Sequence, residues 1–202
     1  MGLLRNFDLS SFNGASCVLE TGSEKGFGIE HALKYSQIKE VHSVEINKKF
    51  YDFCSQKFKH DKRVKLWLGS SENRLAEMMS AISHLDSCIH WLDAHLPSDP
   101  GSHFKHDRVE NEIEFPLETE MKIIKQNRDT SKDYFIIDDL RIYLDGPFQY
   151  TGKSWPHHHL YPNFFPHKDG IGFIEDLFGE SHEIEKLYDH EGYLVLRPKE
   201  MR

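Results

Sequence analysis

Apolar positions along the chain fall into short runs with a period of two and longer stretches with helical spacing. The short runs predict strands over 17–20, 41–46, 64–68, 87–93 and 134–138, and a hairpin over 183–198 that turns at 190–192. The longer stretches predict helices over 28–36, 47–60, 71–84, 110–127, with an interruption at Pro116, and 170–178. Strands that alternate with helices are typical of a mostly parallel sheet with right-handed crossovers. We therefore expect an α/β fold that ends in an antiparallel hairpin.

Two long segments interrupt this pattern, and both follow a strand that ends in aspartate. They cover residues 96–109 and 141–169. In an open α/β sheet the loops after the carboxyl ends of the strands form the ligand crevice, and a loop as long as 141–169 usually has a function. The length of 202 residues suits one domain. We expect a single domain over 1–202 in which these two loops border the crevice.

Composition narrows the class of protein. The chain has 25 Lys and Arg against 33 Asp and Glu, and the net charge of -8 argues against general nucleic-acid binding. No apolar run approaches the roughly 18 residues of a membrane span, and the N-terminus lacks an apolar signal segment. The cysteines form no CxxC pair, and Cys17 and Cys88 lie in apolar runs, which is typical of buried thiols. We expect a cytoplasmic protein with a small-molecule partner and no membrane partner.

The first strand leads into a glycine-rich segment, residues 20–28 (ETGSEKGFG), which we call the glycine loop. Its spacing differs from the GxGxxG pattern that cradles a pyrophosphate at a helix N-terminus. The acid at the strand end, Glu20, repels phosphate but suits a ligand with an ammonium group. Gly22 and Gly26 permit positive φ angles and close backbone approach.

About 20 residues further on, the second strand ends at Glu45, whose carboxylate can accept two hydrogen bonds from a ribose diol. An amino-acid group at the loop together with a ribose at Glu45 describes S-adenosylmethionine.

These residues carry a resemblance to the class I S-adenosylmethionine-dependent methyltransferases. The matching segments are the glycine loop, 41–47 (VHSVEIN) and 66–71 (LWLGSS), and the resemblance covers roughly 15–140 and 170–199. It implies a Rossmann-like fold with a mostly parallel seven-stranded sheet, and S-adenosylmethionine as cofactor. The donor-binding residues that it implies are Glu20, Gly22, Ser23, Gly26, Glu45, Ile46, Ser70, Ser71 and Asp93.

Carboxylates follow the fourth and fifth strands, which are neighbours in this fold. They are Asp93 on one side and the pair Asp138 and Asp139 on the other. Converging carboxylates are costly unless a cation or a proton neutralises them, and hard oxygen ligands select Mg²⁺, Ca²⁺ or Mn²⁺.

This second pattern is similar to the metal-dependent, macrocin-type sugar O-methyltransferases. The resemblance implies that Asp93, Asp138 and Asp139 hold Mg²⁺ or Mn²⁺, and that His95 is the general base, with His95 and Asp93 as catalytic residues. The family has a second aspartate where this chain has His95, but histidine is a competent base near neutral pH. The implied reaction is O-methylation of a small hydroxylated acceptor, a sugar or a sugar-phosphate-like metabolite.

Other interpretations stay open at this point. One is metal-independent methylation of a nitrogen or of a catechol-like or phosphoryl oxygen. Another is an inactive nucleotide-binding or adaptor protein with the same fold, and a third is a dehydrogenase. The histidines at 157–159 suit an exposed loop or acceptor contacts better than a zinc site, because no cysteine partner accompanies them. The sequence does not determine the acceptor, the need for a metal, or whether the chain forms a homo-oligomer.

Overall fold

The elements of the protein alternate between strands and helices, as the periodicity predicts. The computed structural model describes residues 4–94, 116–144, 146–148 and 170–199. The strands are β1 (Cys17–Thr21), β2 (Glu40–Glu45), β3 (Val64–Leu68), β4 (Cys88–Leu92), β5 (Tyr134–Ile137), β6 (His182–Leu187) and β7 (Tyr193–Pro198). The helices are α1 (Phe27–Ala32), α2 (Lys48–Phe58), α3 (Ser71–Ala81), α4 (Leu117–Asn127) and α5 (Gly172–Phe178), with short 3₁₀ segments at Leu4–Asn6, Leu9–Ser11 and Leu140–Ile142.

The strands form one mixed sheet of seven in the order β3-β2-β1-β4-β5-β7-β6. The first five strands pair in parallel, whereas β7 is antiparallel to both β5 and β6. This confirms the predicted Rossmann-like α/β fold with its C-terminal antiparallel hairpin. Because β1, β2, β4 and β5 run in the same direction, the loops at their carboxyl ends meet at one edge of the sheet. We call this the crevice edge.

A hydrophobic core lies on each face of the sheet. One core contains residues of α3, α4 and α5, and the other contains residues of α1, α2 and the N-terminal segment. Neighbouring residues of a central strand serve different cores: Leu19 belongs to the first and Val18 to the second, and both are fully buried. Covering both faces in this way is what a parallel sheet requires, and it leaves the crevice edge as the place where β1 and β4 can present polar groups.

The helix limits depart from the periodicity where local hydrogen bonds end a helix. The first helix stops at Ala32 because tight i to i−3 bonds follow, with Lys34 N donating to His31 O and Tyr35 N donating to Ala32 O, both at 3.1 Å. At the start of α2, the Asn47 side chain accepts from Lys49 N at 2.9 Å and caps the helix as expected. The fourth helix begins directly after Pro116, and the first part of the predicted 110–127 helix lies outside the described residues.

Two sequence predictions can be compared directly with the fold. All three cysteines are free and buried, in agreement with their apolar surroundings in the sequence. Within the described ranges, no helix combines the length and the apolarity that crossing a membrane requires. The predicted crevice loop 96–109 and most of 141–169 lie outside the described residues.

Candidate active site

The glycine loop turns sharply between β1 and α1, and two of its glycines are needed for the turn. Gly22 has φ +88°, and a Cβ atom there would lie 3.0 Å from the carbonyl oxygen of Asp93. Gly26 has φ +73°, caps α1, and donates from its amide to Ser23 O at 2.7 Å. An L side chain is strained at such φ angles. The expected positive φ and close backbone approach are therefore present at both positions.

Glu20 lies beneath the loop, where its carboxylate occupies the space that a side chain at Gly28 would need. Its Oε2 accepts from Ser43 Oγ at 2.5 Å, and the hydroxyl of Ser43 is 2.6 Å from that of Ser23. Burial raises the pKa of Glu20 to about 8, the charge of Glu45 acts in the same direction, and the Ser43 hydrogen bond opposes both. A pKa of about 8 favours the protonated form of Glu20 near neutral pH.

Glu45 closes the glycine loop against the end of β2. Its Oε2 accepts from Glu24 N and its Oε1 accepts from Asn47 N, each at 2.8 Å. A carboxylate offers about four lone-pair positions, so both oxygens can also accept from a vicinal diol. Glu24 itself has φ +43°, an uncommon conformation for a residue other than glycine. The Glu45 carboxylate thus holds the loop and faces the crevice edge at the same time.

The segment after β3 lies beside Glu45. Gly69 N donates to Glu45 O at 3.0 Å, and Gly69 has φ +140°. Ser70 accepts from Asn73 Nδ2 through its hydroxyl at 2.9 Å, whereas Ser71 is buried in the first turn of α3. Next to Glu45, the side chain of Ile46 is 36% exposed and gives an apolar surface at the same place. Sequence reasoning named these residues, and the fold brings them to one site.

The structure supports a fit between this half of the crevice edge and S-adenosylmethionine. A positive-φ loop would accept the amino-acid end, a carboxylate would accept the ribose, and an exposed apolar side chain would face the adenine. The Gly22 position lies so close to the Asp93 backbone that a Cβ there would be crowded, and glycine lets the loop approach β4 at this place. The individual contacts with the donor remain predictions.

The second half of the crevice edge holds the three predicted carboxylates, Asp93, Asp138 and Asp139, which we call the acid cluster. Asp93 N donates to Thr21 O at 3.2 Å, and Asp138 N donates to Leu92 O at 3.1 Å, so the sheet ladder fixes both backbones. Burial raises the pKa of Asp93 well above its usual value, and the charges of Asp138 and Asp139 raise it further. The charges of Asp138 and Asp139 therefore act on Asp93, and the three carboxylates belong to the same end of the sheet.

Three other side chains border the acid cluster, and sequence reasoning missed their role there. Arg141 Nε lies 3.5 Å from Asp139 Oδ1, and Asp139 has φ +52°. Tyr143 is buried, and its pKa is raised well above the usual value by burial first and then by the charge of Glu120 on α4. Arg141 is close to Asp139 in sequence and could have been considered. Glu120 is brought there only by the packing of α4.

The metal prediction remains untested. In the ranges that the structure describes, no three Asp, Glu, His or Cys side chains are grouped closely enough to hold a metal ion. His95, the predicted base, and the histidines at 157–159 lie outside those ranges. The oxygen donors of the acid cluster suit a hard cation by their chemistry, but the described residues do not complete a coordination sphere.

Comparisons with known proteins agree with the fold. No family model matches the sequence, and no curated protein matches it. Solved structures do match. A proposed caffeoyl-CoA O-methyltransferase from Staphylococcus aureus has a TM-score of 0.59 at 11% identity, over 95% of this chain and 79% of that one. An O-methyltransferase from Bacillus cereus in complex with SAH has a TM-score of 0.56 at 14% identity, over 97% and 79%.

A third structure, a methyltransferase from Podospora anserina bound to SAH, has a TM-score of 0.55 at 17% identity, over 92% of this chain and 72% of that one. Identities this low show a shared fold and nothing more, because one fold supports many functions. Any functional conclusion must come from the residues of the crevice edge.

Proposed function

We propose that this protein is an S-adenosylmethionine-dependent O-methyltransferase that acts on a small hydroxylated acceptor, a sugar or a sugar-phosphate-like metabolite. The observation that carries the proposal is the position of Glu45. Its carboxylate ends β2 beside a glycine loop with positive φ angles, and it accepts the Glu24 amide of that loop at 2.8 Å. This arrangement suits a ligand with a ribose at one end and an amino-acid group at the other.

The charges of the site favour a cationic donor. S-adenosylmethionine supplies a methyl group on a positively charged sulfur, together with an ammonium group. Glu20, Glu45 and Asp93 all belong to the crevice edge, and the pKa values of Glu20 and Asp93 are raised. A positive charge nearby lowers such pKa values and stabilises the carboxylate forms. An anionic dinucleotide would meet the opposite effect, which argues against the dehydrogenase interpretation.

On the acceptor side, the proposed catalytic residues are Asp93 and His95. A hydroxyl group is a weak nucleophile at neutral pH and needs a group that takes its proton. His95 would act as that base, two residues after Asp93 in the sequence. Asp93 would orient the hydroxyl, because its backbone is fixed by the Thr21 carbonyl and its pKa is strongly perturbed, which is typical of functional carboxyls.

A divalent metal ion would assist the proposed reaction at the acid cluster. Asp93, Asp138 and Asp139 would hold Mg²⁺ or Mn²⁺, and a divalent ion would supply Lewis-acid activation of the hydroxyl. The carboxylates fit this role by their chemistry, whereas the described residues do not by themselves group three ligands.

A second candidate function is methylation of an amine without a metal. Burial and then the charges of Asp138 and Asp139 raise the pKa of Asp93, and a protonated amine would offset these effects and so be favoured at the acid cluster. The two candidates differ in their response to EDTA. Loss of turnover in EDTA that Mg²⁺ or Mn²⁺ restores supports the first candidate, whereas unchanged turnover on an amine supports the second.

Calorimetric titration tests the proposal at its first step. We expect S-adenosylmethionine and S-adenosylhomocysteine to bind with one site per chain, and NADH to give no heat. Release of S-adenosylhomocysteine is then measured with a panel of sugars, sugar phosphates and amines, with and without EDTA. Absence of donor binding at millimolar concentration would contradict the proposal and favour an inactive adaptor or nucleotide-binding protein.

A further inference from the structure

The second half of α2 lies directly against the outer side of the glycine loop. Cys54 Sγ donates to the Glu24 carbonyl at 3.4 Å, and the Phe58 ring packs so closely on Gly26 that a Cβ there would lie 2.6 Å from Phe58 Cε2. The loop is thus held from the crevice side by Glu45 and from the opposite side by a helix.

Lys57 on the same helix makes the most direct contact with the loop. Its Nζ donates to the Lys25 carbonyl at 2.7 Å and lies 3.1 Å from Glu30 Oε1. The ammonium also lies 5.4 Å from the Phe27 ring centroid and 5.2 Å from that of Phe58. Only 24% of the Lys57 side chain is exposed. Lys57 lies at the protein surface, but these four contacts restrict its side chain more than the pair with Asp52 restricts Lys48 on the same helix.

The loop has a physical need for such a contact. Glu24 and Gly26 both have positive φ, and Lys25 lies between them. A left-handed conformation at a residue other than glycine persists only when surrounding contacts hold it. The Lys57 ammonium bonds the carbonyl in the middle of this stretch, and a hydrogen bond from a charged donor is stronger than one from a neutral donor.

We propose that Lys57 is a positioning residue that clamps the glycine loop in the conformation that binds the donor. It acts through the Lys25 carbonyl, and Glu30 and the Phe27 and Phe58 rings orient its ammonium. The contacts also account for Phe27, which is 42% exposed and yet lies over a cation instead of packing in a core. This inference rests on the proposed function, because it assigns Lys57 a role in donor binding.

The test compares three variants of the full chain by calorimetric titration with S-adenosylhomocysteine. Lys57→Met keeps the aliphatic stem and removes the donor, and we expect Kd to rise about tenfold. Lys57→Arg retains a charged donor and should stay within about threefold of the wild type. The matched control is Lys48→Met on the same helix, since Lys48 is 71% exposed and pairs only with Asp52 among the contacts described for it. We expect no change in Kd for this control.

A second readout separates clamping from general stability. Hydrogen exchange of the peptide over residues 20–28 should become faster in Lys57→Met, while exchange in β4 and β5 and the melting temperature stay close to those of the wild type. Equal Kd values for Lys57→Met and Lys48→Met would overturn the proposal, as would faster exchange spread evenly over the sheet.

The outcomes also separate this proposal from the proposed function. If the wild type does not bind the donor, the proposed function fails, but exchange in the 20–28 peptide still reports whether Lys57 holds the loop. If the wild type binds and Lys57→Met binds equally well, only the clamp fails.

Should Lys57→Met not fold, Glu30→Gln removes the carboxylate that orients the ammonium, and we expect Kd to rise about threefold. An unchanged Kd in that variant would contradict the clamp.

Discussion

The two ends of the β4 and β5 pair carry buried carboxylates in opposite electrostatic environments. At the amino end, Asp133 precedes β5 and is fully buried, yet its pKa is lowered. At the carboxyl end, Asp93 follows β4 and its pKa is raised well above the usual value. The same sheet therefore stabilises a charge at one end and accumulates unfavourable charge at the other.

The partners of Asp133 explain the amino end. Burial by itself would raise its pKa, but hydrogen bonds and charges from His90 and Arg128 outweigh that effect. Arg128 Nε donates to Asp133 Oδ2 at 2.7 Å, and His90 Nε2 lies 2.9 Å from the same oxygen. Arg128 also donates to the carbonyls of Ile82 and Leu85, at 3.1 and 2.8 Å, which ties the end of α3 to the sheet.

The carboxyl end differs because the strongest influences on Asp93, after burial, are other carboxylates. Raised pKa values in a crevice are typical of groups that meet a ligand or a proton, whereas a satisfied charge network is typical of structure. The amino end of β4 and β5 therefore has a structural role, and the carboxyl end is the place where we expect the chemistry.

Removing the Arg128 guanidinium should destabilise the amino end of β4 and β5. We expect Arg128→Met to lower the free energy of unfolding by about 4 kcal/mol, because it removes the guanidinium that donates to the buried Asp133 carboxylate at 2.7 Å. Urea denaturation at pH 7 measures the change. Lys122→Met is the control, since the described residues give Lys122 a partly exposed pair with Glu118, and its free energy of unfolding should stay within about 0.5 kcal/mol of the wild type. Similar losses in both variants would contradict a structural role for the network.

Neutralising Asp93 should reduce turnover and raise the free energy of unfolding. We expect Asp93→Asn to reduce turnover by about 300-fold while the Kd of S-adenosylmethionine stays within about threefold. The free energy of unfolding at pH 8 should rise, because a raised pKa means that the charged form destabilises the fold. Asp52→Asn on the exposed face of α2 is the control. A collapse of donor affinity in Asp93→Asn would assign Asp93 to the donor pocket instead.

Weakening Glu45 should lower donor affinity, because this carboxylate is the proposed ribose acceptor and also accepts the Glu24 amide of the glycine loop. Glu45→Gln keeps one acceptor oxygen and removes the charge, and we expect the Kd of S-adenosylmethionine to rise about 30-fold. Calorimetric titration measures this change, with Glu77→Gln as the control because Glu77 is exposed and pairs with Arg74 on α3. Donor affinity equal to that of the wild type would remove the ribose role of Glu45.

Changing Glu20 should alter the pH dependence of stability. The folded pKa of about 8 is above the 4.5 of an ordinary glutamate, so the stability that Glu20 contributes is present below about pH 4.5 and is lost as the pH rises through about 8. Glu20→Gln does not titrate, and it should gain on the order of 1–2 kcal/mol over the wild type between pH 7 and pH 9. Denaturation curves at several pH values measure the difference. A constant difference across that range would show that Glu20 does not titrate as inferred.

For Asp133 the sign of the pH effect is reversed. Its lowered pKa contributes stability above the unfolded value, and that stability is lost as the pH falls through the folded value. A fall in pH should therefore remove the stability that Asp133 contributes at the amino end of the sheet. A rise in pH should instead remove the stability that protonated Glu20 and Asp93 contribute at the carboxyl end.

Several features of this protein were determined by the sequence alone. Strand and helix periodicity predicted the alternating fold and its final hairpin, because burial on one or two faces imposes its own spacing on the residues. The residues at strand ends, among them Gly22, Glu45, Asp93 and Asp138, were predicted to meet because parallel strands bring their carboxyl ends to one edge. These inferences needed only local pattern and strand direction.

Only the tertiary structure decided which partner each polar group has. Glu20 accepts from Ser43 because the pairing of β1 with β2 sets these two residues opposite each other. Lys57 donates to the Lys25 carbonyl because α2 packs against the outer side of the glycine loop. The contrast between Asp133 and Asp93 likewise depends on which charges packing brings near each of them. Charge interactions depend on distance and burial, and neither can be read from the spacing of residues along a chain.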